Sequence, residues 1–191
     1  MLRILDFLFS FLGLIVLTPI LILLCLWVKF DSPGPIFYIQ KRVGLNGKDF
    51  NLFKFRSMRV NADKLGLLTV GGRDPRITNS GFYIRKYKMD ELPQLFNVLV
   101  GDMSLVGPRP EVRTYVDLYN QEQLKVLSVR PGITDEASIA FRNENEILAL
   151  STDPEQTYIN EIMPEKIKLN QKFISNPSLL NYFRIIIRTI I

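Results

Sequence analysis

The pattern of apolar and polar positions sets one stretch apart at once. From Phe7 to Val28 the chain reads FLFSFLGLIVLTPILILLCLWV, without a charged residue. About twenty apolar residues suffice to cross a bilayer as a helix. Thr18-Pro19 lies at the centre of the run. A proline there removes a backbone hydrogen bond and clashes with the preceding turn, so the helix is expected to kink. The run exceeds the apolar core of a signal peptide, about 7–15 residues, and the following KFDSPG is a poor cleavage site. Arg3 and Lys29 flank its two ends, so the basic residues do not choose a side. A kinked helix could cross or dip in and return; the pattern alone favours crossing.

After the turn DSPGP, the segments IFYIQKRVG and KDFNLFKFRSM are rich in aromatic and β-branched residues and predict two short strands around a GLNG turn. A polar, glycine-containing loop is expected from Asn61 to Ser80. Helical signals dominate the remainder, at 81–88, 91–100, 111–127, 143–150, 155–175 and 178–191, punctuated by Pro131, Pro154, Pro164 and Pro177. In the second of these, Leu92, Leu95, Phe96 and Leu99 recur at i, i+3, i+4 and i+7, giving an apolar face for a core or a membrane. In SLLNYFRIIIRTII, Asn181, Arg184 and Arg188 form a narrow polar stripe on an apolar helix. Such a helix suits the lipid headgroup boundary, where arginines reach toward phosphates, or a terminal position packed on the core. The fold class expected is α+β and mostly helical: a membrane helix over 1–30, and over 31–191 one interface-associated unit with a short β-hairpin and amphipathic helices, the last at 178–191. No internal repeat or second domain is evident.

Composition narrows the chemistry. The 191 residues carry a formal net charge of +5, and a basic balance favours anionic partners: phosphates, nucleic acid or an acidic membrane surface. There is no histidine, which excludes an imidazole base and His-ligated metals. The single cysteine, Cys25, lies inside the apolar run, which excludes disulfides and Cys-based metal sites. Any metal must be a hard, oxygen-bound ion such as Mg²⁺. Nucleic acid is disfavoured, because the arginines are interleaved with membrane-type apolar residues rather than with stacking aromatics. Neither a P-loop nor a G-x-G-x-x-G pattern occurs.

One stretch concentrates what remains: RKYKMDELPQLFNVLVGDMSLVGPRP, Arg85 to Pro110. Asp90 is placed to cap a helix whose first turn contains Pro93. A helix N-terminus favours both a carboxylate and a bound phosphate. The plain reading is a cap and nothing more. Against it stand Arg85, Lys86 and Lys88 just upstream, Arg109 fixed between Pro108 and Pro110 beside Gly107, and Arg130 and Arg142 further on. Arginine's planar fork matches phosphate oxygens in pairs, and a solvated face would not need prolines around it.

KMDELPQLFNVLVGDMSLVGPRPE closely resembles the signature of the bacterial sugar transferases, the monotopic phosphoglycosyl transferases. The N-terminal segment with its central proline, YIQKRVGLNGKDFNLFKFRSM, GFYIRK and VRPGIT follow the same family in order, over nearly the whole chain. The resemblance implies transfer of a sugar-1-phosphate from a nucleoside diphosphate sugar, usually UDP-linked, to a polyprenol phosphate such as undecaprenyl phosphate, with release of UMP. It implies that Asp90 attacks the sugar-bearing phosphorus to give a covalent phosphosugar, that Glu91 helps hold Mg²⁺, and that Arg85 and Arg109 bind phosphate; Lys54, Arg56, Arg130 and Arg142 complete the candidate substrate-binding set. It also implies a re-entrant helix bent at Thr18-Pro19, where the family has Ser-Pro, with both ends on the cytoplasmic face of the bacterial inner membrane. That replaces the expectation of crossing. An aspartyl phosphate needs no histidine, since a carboxylate is already ionised at neutral pH.

Two departures qualify the resemblance. The commoner branch continues Arg-Pro-Gly-Ile-Thr with Gly-Trp-Ala-Gln, whereas this chain has DEASIAFRNENE, so contacts made by Asp135–Glu146 transfer poorly. The chain also reads as a minimal member, without the extra N-terminal membrane domain of some relatives, and a homodimer is left open. Two other functions stay in play: a glycosyltransferase that breaks the anomeric bond and releases UDP, and a non-catalytic membrane scaffold that binds phosphates. The sugar and the glycan it feeds are not legible.

Overall fold

The computed structural model describes residues 2–66, 68–71 and 74–190. Leu67, Gly72 and Arg73 of the expected loop, and Ile191 at the end of the expected last helix, lie outside the described residues. Helix α1 (Leu2–Asp31) holds the apolar run in 30 residues, and it is long and apolar enough to cross a membrane, with a mean hydropathy of 2.8 over its most apolar 18 residues. Its helical assignment continues across Pro19. Thr18 Oγ1 donates to the Leu14 carbonyl at 2.7 Å, the back-bond to i−4 that tends to bend helices. Phe7, Leu8, Phe11, Ile15, Val16, Ile22, Leu23 and Phe30 are exposed along it.

Polar side chains tie both ends of α1 to the rest of the molecule. Near its start, Arg3 donates to the carbonyls of Val98 (2.6 Å), Leu99 (3.1 Å) and Met103 (3.3 Å). Buried Asp6 accepts from Ser104 Oγ, from the Leu105 N–H at 3.0 Å and from Tyr182 OH at 2.7 Å. At its end, Asp31 accepts from the N–H and hydroxyl of Ser80, at 3.0 and 2.9 Å. Leu24 and Val28 pack with Phe55 and Ile84.

Strands β1 (Phe37–Val43) and β2 (Asp49–Phe55) pair antiparallel, Phe37 opposite Phe55, as the sequence predicts. Helix α2 (Asn79–Lys86) starts two residues before its expected boundary, because Thr78 caps it by accepting from the Gly81 N–H at 3.0 Å. Helix α3 (Gln94–Val100) buries Gln94, Asn97 and Val98, not the expected leucine face. Leu95 and Leu99 are half-buried, Phe96 is exposed, and Leu95 lies beside Gly13 of α1. The polar face is buried because Asn97 is a joint: its amide donates to the Asn51 carbonyl at 2.7 Å and accepts from the Phe53 N–H at 3.1 Å.

Strands β3 (Ser104–Val106) and β4 (Gly132–Thr134) form a short parallel pair. The close approach needs glycine on both sides, since a Cβ on Gly107 would lie 2.5 Å from the Arg130 carbonyl oxygen. The helix expected over 111–127 is instead α4 (Arg113–Val116) and a 3₁₀ turn at Gln123–Ser128. Asn120 and Gln123 exchange side-chain-to-backbone hydrogen bonds at 2.9 Å, offering the backbone an alternative to the helix. Helices α5 (Glu136–Ala140), α6 (Glu144–Ala149), α7 (Pro154–Thr157) and α8 (Met163–Ser175) follow, α7 and α8 joined by a π-turn at Tyr158–Ile162. Together they enclose a core of Val112, Tyr115, Val126, Leu148, Tyr158, Ile162, Met163 and Ile167. In α9 (Leu179–Ile190), Tyr182 and Ile185 are fully buried while Leu180, Phe183 and Ile187 are exposed, so the helix packs on the core and presents apolar surface as well.

Asn97→Ala should leave the Phe53 N–H and the Asn51 carbonyl without their partner at a half-buried joint, at a cost of about 1–3 kcal/mol. Chemical unfolding in detergent checks this; a midpoint equal to that of the parent would remove Asn97 as the joint between hairpin and α3.

Candidate active site

The turn that carries the acidic pair is built by an unusual backbone. Lys88 adopts a left-handed conformation, φ 56°, and starts the 3₁₀ turn Met89–Glu91. A non-glycine residue in that region is uncommon and gathers at functional sites. The turn buries Asp90 to 5% exposure and Glu91 to 9%. Asp90 does not cap α3, which corrects the sequence reading: α3 begins after Pro93, and Asp90 lies within the preceding turn. Among the described residues, its carboxylate takes part in no hydrogen bond.

Glu91 is the opposite. Its Oε1 accepts from Lys54 Nζ of β2 at 3.0 Å and from an Arg109 Nη, while its Oε2 accepts from the other Arg109 Nη at 3.1 Å. Arg109 is thereby bidentate, the strong arrangement for this pair. The arginine is held at its backbone too, because its N–H donates to Asp135 Oδ2 at 3.0 Å. Asp135 is fully buried and also caps α5, accepting from the Ser138 N–H at 2.6 Å.

These surroundings drive the two carboxyls apart. Burial pushes the Asp90 carboxyl up; Lys54 pulls against it, the Glu91 charge adds to the rise, and Arg85 and Arg109 offset it incompletely. Burial also opposes ionisation of Glu91, but Arg109 and Lys54 outweigh it and hold that carboxyl well below the usual carboxylate range. The Glu91 charge raises the Arg109 guanidinium, whereas burial lowers the Lys54 ammonium.

Asp90, Lys54, Arg85 and Arg109 line one cavity of about 430 Å³, which Tyr38, Arg42, Glu111, Tyr158 and Lys166 also line. Arg85 donates to Thr69 Oγ1 at 3.0 Å on the loop beside it. Of the other expected residues, Arg56 touches the cavity, but its guanidinium is engaged elsewhere. It donates to the carbonyls of Val28 (3.3 Å), Ser32 (2.7 Å) and Pro33 and so closes the end of α1. Arg130 is exposed and donates to the Gly101 carbonyl at 2.9 Å, and Arg142 donates to the Arg188 carbonyl at 3.0 Å. Neither lines the cavity of Asp90. Sequence reasoning missed Asp135 and Asn97. Asp135 carried a readable signal, an aspartate just before a helix; Asn97 carried none, because its partners lie on a distant strand.

A family model described as bacterial sugar transferase matches residues 1–191. The chain is 42% identical over 137 residues to UDP-N-acetylgalactosamine-undecaprenyl-phosphate N-acetylgalactosaminephosphotransferase of Aeromonas hydrophila, which spans 70% of this chain and 32% of that protein. It is 36% identical over 189 residues to UDP-glucose:undecaprenyl-phosphate glucose-1-phosphate transferase of Xanthomonas campestris pv. campestris, covering 96% of this chain and 37% of that one. A third relative, exopolysaccharide production protein ExoY of Sinorhizobium fredii, is 38% identical over 154 residues, 73% of this chain and 68% of its own length. The chain thus spans about a third of the two named transferases and about two thirds of the third protein.

Removing the Glu91 carboxylate leaves two cations facing each other in a buried place, so Glu91→Ala should lower stability by about 3 kcal/mol. Asp90→Asn should leave the unfolding midpoint unchanged or raised. A carboxyl whose folded pKa lies above its unfolded value opposes folding once it is ionised, and the amide removes that penalty. Chemical unfolding of the two variants side by side checks the contrast, which an equal loss in both would contradict.

Proposed function

The chain belongs to the bacterial sugar transferase family and is a transferase; on that premise we propose that it moves a sugar-1-phosphate from a UDP-sugar to undecaprenyl or another polyprenyl phosphate, releasing UMP. The observation that carries this reading is Asp90, a buried carboxylate with no hydrogen bond among the described residues, in a cavity also lined by the cations Lys54, Arg85 and Arg109. A carboxylate committed to structure would be bonded; a nucleophile must keep its oxygens free. In the first half-reaction an Asp90 oxygen attacks the sugar-bearing phosphorus, and the bond from that phosphorus to the oxygen bridging to UMP breaks. UMP leaves with that oxygen. In the second half, an oxygen of the polyprenyl phosphate attacks the same phosphorus and the bond to Asp90 breaks, which restores the carboxylate and gives a sugar diphosphate-linked lipid.

Lys54, Arg85 and Arg109 oppose the charge on the transferring phosphoryl group, the main requirement in this class of reaction. Glu91 sets the positions of two of them. Among the described residues no three His, Cys, Asp or Glu side chains gather as a metal cage. A Mg²⁺ site of the sparse kind, one or two carboxylates with substrate phosphates, fits what is present. Glu91 Oε2 accepts only from Arg109, so it keeps a lone pair for the ion, and Asp90 is adjacent. The ion would supply charge neutralisation at the phosphate oxygens.

The membrane reading is monotopic. Both ends of α1 are tied to the same body, by Arg3 and Asp6 at one end and by Asp31 and Arg56 at the other, which supports a helix that enters and returns on the cytoplasmic face. A helix that crossed would part its two ends by the bilayer thickness, about 30 Å of hydrocarbon. Such placement brings Asp90 near the interface, where a soluble donor and a lipid acceptor can meet it in turn. The product would begin a bacterial surface glycan.

Detergent-purified protein given undecaprenyl phosphate, Mg²⁺ and a panel of UDP-sugars should release UMP with at least one donor, and Asp90→Asn should release none. UDP as the product would instead establish anomeric transfer, and turnover by Asp90→Asn would remove Asp90 as the nucleophile. The raised Asp90 carboxyl also sets a pH dependence. Its ionised form is lost as pH falls through the folded value, so the acid limb of kcat/KM for the donor should lie above the ordinary aspartate range near ~3.9. An acid limb at or below that range would contradict the burial argument.

A further inference from the structure

The cavity of Asp90 has a second part that the phosphoryl chemistry does not use. It is built by β1, the turn after Arg109, α6 and α8, and its charges come in closed pairs. Arg42 donates to Gln40 Oε1 at 3.0 and 2.8 Å and to the Pro110 carbonyl at 3.0 Å, and it pairs with Glu111 at 3.5 Å. Tyr158 OH donates to Glu111 Oε1. Lys166 Nζ donates to Glu144 Oε2 at 2.8 Å and stands 5.4 Å from the centre of the Tyr158 ring. Gln40, Arg42, Glu111, Glu144, Tyr158 and Lys166 line the same cavity as Asp90, together with Leu68 and Leu148.

The contrast with the phosphate end is one of charge. There, three cations, Lys54, Arg85 and Arg109, face two carboxylates, and an anion is favoured. Here two cations are matched by two carboxylates, and the Arg42 fork is already filled. That balance favours an anion less than the excess of cations at the phosphate end does. What the pairs do offer is acceptors with spare lone pairs on Glu111 and Glu144, a spare donor on Lys166, and apolar surface from Leu68 and Leu148. That combination suits a neutral group with several hydroxyls. A flat nucleobase would want an open ring face, but Tyr158 is packed against Tyr115, with centroids 5.0 Å apart, and lies under Lys166.

We propose that this part of the cavity, with Glu144 and Lys166 as its specificity-determining pair, takes the sugar of the UDP-sugar donor. The proposal rests on the donor reading given above. Glu144 lies in 135–146, the stretch that departs from the commoner family sequence, so a specificity determinant there would be this chain's own. The pair joins the start of α6 to α8, with side chains 25% and 11% exposed, buried enough for a lost hydrogen bond to be felt and open enough to reach a ligand.

The test is titration calorimetry on the full chain in detergent, in an Asp90→Asn background that prevents turnover, with UDP-glucose, UDP-N-acetylgalactosamine and UMP. Glu144→Gln and Lys166→Met should each weaken at least one UDP-sugar about tenfold and change the ratio between the two sugars. UMP, which lacks the sugar, should bind within about twofold of the background protein, on the same hydrogen-bond argument. If UMP weakened in step with the sugars, this part would hold the nucleoside and the proposal would be overturned. Unchanged sugar affinities in both variants would overturn it too, leaving a pair that only joins α6 to α8. Should Lys166→Met not fold, Glu144→Gln carries the comparison. A background protein that bound neither UDP-sugars nor UMP would sink the donor reading itself, and that result is visible before any variant is compared.

Discussion

Three segments distant in sequence meet at one buried carboxylate. Glu91 receives Lys54 from β2 and Arg109 from the loop after β3 while it sits on the turn that carries Asp90. Neither cation would be stable there alone, and the carboxylate would not be either; the desolvation of each is offset only by the others. The pairing therefore fixes more than it stabilises. It sets the distance between the hairpin and the acidic turn, and it orients the guanidinium of Arg109, whose backbone N–H is held by Asp135. Every candidate role of Asp90 depends on that frame.

Helix α1 is tied into the same frame by polar groups as well as by the packing of Leu24 and Val28 on Phe55 and Ile84. Arg3 closes the C-terminal carbonyls of α3, Asp6 accepts from β3 and from Tyr182 of α9, and Arg56 closes the end of α1 itself. With α1 in a membrane, as proposed, an apolar contact between it and the body would compete with lipid, which is as apolar as the side chains it replaces. A buried hydrogen bond has no such competitor, because leaving it costs a stranded polar group. The result couples the position of α1 to that of α3, whose preceding turn holds Asp90.

What the sequence discloses follows from how local each signal is. The hairpin, α2, α6 and the last helix depend on short-range alternation, capping and periodicity, and they lie within a few residues of where the pattern puts them. The helix expected over 111–127 fails because Asn120 and Gln123 satisfy their backbone locally, which periodicity does not register. Leu95, Phe96 and Leu99 mislead for a different reason: their apolar face is half open beside α1, and Asn97 is the buried residue because it reaches across to β2. At the site, Asp90, Arg85, Arg109 and Lys54 line one cavity and Glu91 pairs with two of them. Arg130 and Arg142 do not, since a positive charge in sequence carries no direction and both find carbonyl partners on other elements.

Adjacent carboxylates in one turn ought to suppress each other's ionisation, so their opposite environments need a cause. The cause is the placing of the two cations. Arg109 and Lys54 act on Glu91 by their charges and add direct hydrogen bonds, so it is held ionised, while on Asp90 the cations act only through space and offset the cost of burial incompletely. Two like groups with separated affinities for a proton mark separate tasks. The bonded one is a fixed charge that organises its neighbours. The unbonded one stays poorly solvated and faces the cavity, which suits the part proposed for it as nucleophile. Had the two exchanged partners, Asp90 would be locked in salt bridges, unable to serve that proposed part, and the frame would lose its anchor, so on this reading the order Asp-Glu matters and not merely the presence of two acids.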